Sequence, residues 1–423
     1  MNRSTKLGAA IIAMAVITAT GCSKSSTSPT EPATSSRSAQ YTTTQTVSDE
    51  AQRNTIAFDG LAFLTGSLGG QSFLPPGKVA DFDGFQYLRD NDPTDLGHNT
   101  SFVTIVAFNV LHILNADQIN LMVHSAQTEV TLINHYAYQR FPLIKAFRRQ
   151  LEGDIPAGCT ALDRAAVMAC SADLYAIDGQ ISYNRTKLMG QIINSMSSVQ
   201  RGEFARLAAL NGVGNWDQTL ADPLQSLRLD PDVAVAVMTD ASEMYSWYTG
   251  SVEADVYFCP ERQGTYFGSF YLKDWPAMGN PNYSINEQLT ARAGSTFLAA
   301  LTDSQRALVT VLVDLQRSDL TSIVSKRREI AAQLRLFLAG GAADSATVIA
   351  LSREYGQLDG EISYYYATHF AQVSQSLDSA QRARLTSLAD SLGYTPAAGA
   401  FLYSQPIAMP AIANTDFLFG SSR

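Results

Sequence analysis

The chain has 423 residues, 30 Lys and Arg against 39 Asp and Glu, and a formal net charge of −9. At 46% hydrophobic and 16% charged residues it has the apolar material for a sizeable core, which excludes a disordered chain. The acidic balance argues against nucleic acid and anionic lipid surfaces as partners.

Residues 1–21 read as a leader. Arg3 and Lys6 precede the apolar run Leu7 to Ile17, which is too short to span a membrane. With Ala19-Thr20-Gly21-Cys22 behind it, the segment resembles a bacterial lipoprotein signal peptide. The resemblance implies that Cys22 is lipidated; an ordinary secretory signal or a retained anchor is the alternative. Residues 22–47 are rich in Ser and Thr, with Pro29 and Pro32, and read as a flexible tether. Ser23 after Cys22 offers no acidic retention signal. The expected location is therefore the cell envelope, in the periplasm or at the cell surface, anchored to the outer membrane.

Beyond the tether the chain repeats itself. Asp178-Gly-Gln-Ile-Ser-Tyr183 returns as Asp359-Gly-Glu-Ile-Ser-Tyr364, and Thr65-Gly66-Ser67 as Thr249-Gly250-Ser251. Tyr87-Leu88-Arg89-Asp90 returns as Tyr271-Leu272-Lys273-Asp274, with order kept throughout and offsets between 181 and 187. We read two copies, 48–212 and 231–395, a linker 213–230 and an extended tail 396–423 carrying Pro396, Pro406 and Pro410.

Each copy opens on a Gly/Pro-punctuated front, 60–100 and 250–284, with a hairpin expected around Pro260 to Gly264. A short helix follows, then a long one from near Asp117 or Asp303, which Gly340-Gly341 stops in copy two. A second long helix is expected over 344–377, where Val348, Leu351, Tyr355, Leu358, Ile362, Tyr366, Phe370, Val373 and Leu377 step by three or four. Copy one repeats the stripe from Val167 to Met196. A last short helix starts after Ser197 or Asp378. Pro142 falls inside copy one's long helix and should kink it. The fold class is mainly α: two tandem helical-hairpin domains with short β-hairpin or loop extensions.

Three segments share a Leu-x-x-x-Gln step, ending at Gln118, Gln305 and Gln381, and a fourth matches them as Met196-Ser-Ser-Val-Gln200. Thr302 or Asp378 can cap a helix start, with the Gln three residues on reaching back as in a capping box. Leu301-Thr-Asp-Ser-Gln305 resembles the LTxxQ motif, and one such motif before and one after a helical hairpin is similar to the layout of the periplasmic Spy/CpxP family. The resemblance covers 114–210 and 301–392. It implies a stress-related envelope protein, chaperone-like, that cradles unfolded clients, or a sensor of envelope stress or metals. Family cradles are dimers; a tandem copy supplies the second half in one chain, which points to a monomeric pseudo-dimer. The chain departs from the family in its acidity and in its added front segments.

Arg140 and Arg327 match between copies, as do Asp178 and Asp359, each Asp beside a mid-helix Gly that costs about 1 kcal/mol against Ala. A repeated structural ion pair is one reading, independent surface charges the other. Cys159 and Cys170 flank an insertion. With Asp163 capping the helix, Cys170 lies about 9 Å along it, a span that the intervening loop covers. A disulfide is expected, contributing about 3 kcal/mol in an oxidising compartment. Asp90, Asp92 and Asp95 suggest a ligand loop for calcium, of which copy two keeps only Asp274; an Asx-turn is the alternative. The histidines, His98, His112, His124, His135 and His369, are not repeated, and no transition-metal site or cofactor is expected. No catalytic signature stands out, so the expected function is binding: unfolded or envelope proteins in a groove between the copies. The alternatives are a small-ligand or metal-binding receptor and a structural surface lipoprotein.

Overall fold

A computed structural model describes residues 49–65, 78–80, 86–90, 100–210, 213–249, 289–391, 400–402, 405–407, 411–412 and 414–421. The leader, Cys22, the tether, Asp92, Asp95, Asp274 and the hairpin expected near 260 lie outside these residues. The described residues fall in one compact unit and are mainly helical.

In chain order the helices are α1 (Asp49–Thr65), α2 (Thr100–Ile113), α3 (Ala116–Gln139), α4 (Phe141–Glu152), α5 (Arg164–Ser195), α6 (Ser198–Ala209) and α7 (Pro231–Thr249). They continue with α8 (Leu289–Ala300), α9 (Asp303–Thr310), α10 (Leu312–Arg335), α11 (Ser345–Ser376) and α12 (Ser379–Ser391). The second long helices start as expected, because Asp163 and Asp344 accept from the backbone N–H of Ala166 and Thr347. Pro142 sits in the first turn of α4, and the copy-one helix breaks at Arg140, which caps α3 and opens α4. Copy two also breaks, at Val311, with no proline there.

The tail is built in. Strand β1 (Lys78–Ala80) pairs with β2 (Gln86–Asp90), β2 with β4 (Ala400–Leu402), and β4 with β5 (Gln405–Ile407), all antiparallel. Strand β3 (Ala161–Leu162) pairs with β6 (Phe419–Gly420). Arg149 donates to Thr415 and Asp416 and lies 5.0 Å over the Phe419 ring, while Leu418 is fully buried. The C-terminus is thus docked on copy one.

The most extensive helix contact joins the copies: α5 against α11. It is close because its facing residues are small. A Cβ added to Gly360 would lie 2.7 Å from the Ser171 Cβ, and one added to Gly179 would lie 2.7 Å from the Ser352 Cβ. Ser171 and Ser352 are themselves matched residues, so the contact obeys the duplication. A Cβ added to Gly356 would lie 2.6 Å from the Tyr175 Cβ and 2.7 Å from the Ser171 carbonyl oxygen.

The opening helices are exchanged. Helix α1 begins copy one yet packs on α8 and α12 of copy two; α7 begins copy two yet packs on α2, α3 and α6 of copy one. Gly60 meets Phe370, and Tyr245 meets Phe204 and Trp216. Residues 60–65, expected as part of an extended front, are the last turns of α1. The front reading followed Gly60 and Gly66, but Leu61 and Phe63 are buried and hold these turns helical against copy two.

Candidate functional site

All four glutamines make their capping boxes. Gln118 caps with Asn115, Gln200 with Ser197 and Gln305 with Thr302; Gln381 accepts from the Asp378 N–H and donates its own N–H to Asp378. The structure then brings them together in pairs. Gln200 Nε2 donates to Gln118 Oε1 at 2.6 Å in copy one. In copy two Gln381 Nε2 donates to Gln305 Oε1 at 2.8 Å, and Gln305 Nε2 returns a bond at 3.2 Å. The same amides reach the preceding helix ends: Gln200 to the Ile113 carbonyl and Gln381 to the Ala300 carbonyl. Gln118 donates to the Ser195 hydroxyl, and Gln305 donates to the matched Ser376 hydroxyl. The repeated step is a clasp that locks four helix ends at the foot of each hairpin.

The matched Arg and Asp residues are all buried, Arg140 and Asp359 fully, so none is an independent surface charge. Arg327 Nη1 donates to the Tyr355 hydroxyl at 2.8 Å, and Tyr175 donates to Asp359 Oδ2 at 2.6 Å. The two tyrosine rings meet edge-on at 4.5 Å. Burial pushes the Tyr355 phenol well above its usual range; Arg327 opposes this, and Asp359 and Asp178 add to it. Three of the four predicted residues thus share one polar core where α5 crosses α11, with Tyr175 and Tyr355 as connectors. Arg140 sits at the α3–α4 junction.

Another buried network was not singled out from the sequence. Arg185 contacts Glu129 at 2.5 Å, Asp240 at 3.0 Å and Glu243 at 3.6 Å, all with side chains under 10% exposed. These residues come from α5, α3 and the exchanged α7. The matched place in copy two is neutral at its centre: Tyr366 donates to Gln316 Oε1 at 2.6 Å, and Gln316 donates to Gln52 of exchanged α1 at 2.8 Å. Burial, with Asp59 nearby, raises the Tyr366 phenol far above its usual range. Glu129 aligns with Gln316 and Arg185 with Tyr366, so charge that differs between copies was the available signal.

The expected disulfide is corrected: Cys159 and Cys170 are both free thiols. The loop bearing Cys159 is tied instead to the tail, by the Thr160 N–H to the Gly420 carbonyl and by β3 with β6. Asp90 ends β2 opposite Ala400, so its backbone belongs to the sheet. His112 and His369 bond their own helix carbonyls four residues back. Among the described residues no group of three or more His, Cys, Asp or Glu is placed to hold a metal, and no helix is long and apolar enough to cross a membrane.

The expected groove between the copies is also corrected along α5 and α11, where Ser171, Ser352 and the three glycines leave no space. An open cleft of about 360 Å³ lies instead at the foot of copy one, lined by Asn109, His112, Val199, Gln200, Glu203, Arg206 and Asp217. Val199 is 74% exposed there. No family model, curated protein or solved structure matches the chain.

Proposed function

We propose that this chain is a lipid-anchored, non-enzymatic binding protein of the bacterial cell envelope, chaperone-like and related in design to the Spy/CpxP proteins. The observation that carries this reading is the clasp: three Leu-x-x-x-Gln starts and the matching Met196-x-x-x-Gln200, each closing a capping box beside a long helical hairpin. The leader pattern ending at Cys22 supports the anchor and the envelope location. The buried polar networks favour binding over catalysis, because they are enclosed by helices and spend their hydrogen bonds on holding them. Clients are taken on an outer face, since the described contact between the copies is filled where α5 meets α11. The cleft at the foot of copy one, with Val199 raised beside Gln200, is the surface of choice.

The test is suppression of aggregation of a chemically denatured client by the mature chain. Protection at stoichiometric ratio, weakened by Val199→Glu, is the expected result; no protection at any ratio overturns the chaperone reading. Membrane fractionation of Cys22→Ala tests the anchor, which predicts release into the soluble fraction. A small-ligand receptor is the second reading, favoured by a cleft volume suited to one small molecule. A thermal-shift screen of small metabolites together with elemental analysis of the purified protein distinguishes it.

A further inference from the structure

Where α10 and α11 of copy two meet the first turn of α5 from copy one, four polar side chains gather. Glu361 is 12% exposed and forms an ion pair with Arg164; Tyr365 donates to Glu361 Oε1 at 2.8 Å. Arg164 lies 5.6 Å over the Tyr365 ring. Asp319, on α10, faces this group with its Oδ2 buried and without a hydrogen-bond partner. His369, a turn beyond Tyr365, is engaged with the Tyr365 carbonyl. One guanidinium therefore serves two carboxyl groups and is already committed to Glu361.

The duplication supplies the comparison. Asp319, Glu361 and Tyr365 match Leu132, Gln180 and Asn184, and Arg164 matches Ser345. At the copy-one place Gln180 simply donates to Asn184 at 2.8 Å. Copy one fills these four positions without a titratable side chain, so the charges at the copy-two place are not demanded by the architecture.

We propose that Asp319, Glu361, Tyr365 and Arg164 form a proton-operated latch that joins the α10–α11 hairpin of copy two to the start of α5 in copy one. The latch is closed while Asp319 keeps its proton and loosens when the proton leaves, because a second carboxylate then stands beside Glu361 with no cation of its own. Burial and Glu361 raise the Asp319 carboxyl to about 7, with Arg164 opposing. The folded state therefore binds the proton more tightly than the open one. Stability of the junction falls as pH climbs from the ordinary Asp range towards 7, then levels. Acidification tightens the contact between repeats. This inference does not depend on the envelope reading.

The test is backbone hydrogen exchange of α10 and α11 in the full chain from pH 5 to 8, corrected for intrinsic exchange. In the wild type, protection should fall by up to about tenfold per pH unit below 7 and flatten above it. In Asp319→Asn, and in the graft Arg164→Ser/Asp319→Leu/Glu361→Gln/Tyr365→Asn, it should be independent of pH. An infrared band of a protonated carboxyl group, present at pH 6 and missing in Asp319→Asn, should accompany it. A flat wild-type profile, a slope that survives in Asp319→Asn, or absence of the band overturns the proposal. Asp319→Asn is nearly isosteric, so the question is decided even if the graft does not fold.

Discussion

Gln305 and Gln381 bond to each other through both side-chain amides, at 2.8 and 3.2 Å, while each also closes a capping box at its own helix start. Two residues 76 apart thereby tie the beginning of the copy-two hairpin to its end. Gln118 and Gln200 do the same in copy one.

Breaking one clasp should cost more than one cap. Gln381→Ala removes a cap, worth about 1 kcal/mol, and leaves the Gln305 amide short of a partner, at about 1–3 kcal/mol. Chemical denaturation of Gln305→Ala, Gln381→Ala and the double variant should show a coupling of about 0.5–3 kcal/mol. Additive losses would mean that the two caps act separately.

The glycines of α11 should not tolerate a methyl group. Gly356→Ala places a Cβ 2.7 Å from a backbone oxygen, which cannot swing aside. A loss of about 1–3 kcal/mol is expected. Gly202→Ala, in α6 with open space around its added Cβ, should instead stabilise by about 0.5–1 kcal/mol. Thermal unfolding of the two variants reads the contrast directly.

The two matched polar networks should respond unequally. Arg185→Met strips the guanidinium from Glu129, Asp240 and Glu243 inside the fold, with an expected loss of about 3–5 kcal/mol. Tyr366→Phe takes a hydroxyl donor from the neutral Gln316 amide oxygen, at about 1–3 kcal/mol. Denaturation midpoints rank the two; equal losses would count against the charge argument.

Cys170 should be a slow thiol. Burial, with Asp173 adding to it, raises its pKa to about 11. The thiolate is therefore scarce at pH 8, and its alkylation should accelerate as pH climbs towards 11. Mass spectrometry under non-reducing conditions should find both Cys159 and Cys170 modifiable after denaturation. An intact linked pair would contradict the free thiols seen here.

The local parts of this fold were legible because their causes are local. Asp163, Asp344 and the four glutamines bond within three or four residues, so the helix starts followed directly from neighbours in the chain. Pro142 announced a break at Arg140 for the same reason. The apolar stripe of α11 was also readable, and Val348, Tyr355, Ile362 and Phe370 are buried as it required. The flank of that stripe was not. It is made of Ser352, Gly356, Gly360 and Ser363, residues that look like surface until a second helix is laid on them.

From its sequence alone the chain showed a series of matched segments 181 to 187 residues apart, where most of its helices begin, and which glutamines stand at those starts. Tertiary structure alone decided the partners: α5 against α11, α1 exchanged for α7, and the tail folded back on copy one. A stripe records that a face avoids water but carries no address for what covers it, because apolar attraction has no direction. Partner choice came from fit between distant surfaces, such as Gly360 on Ser171 and Asp240 on Arg185, and such fits exist only once the helices are in place.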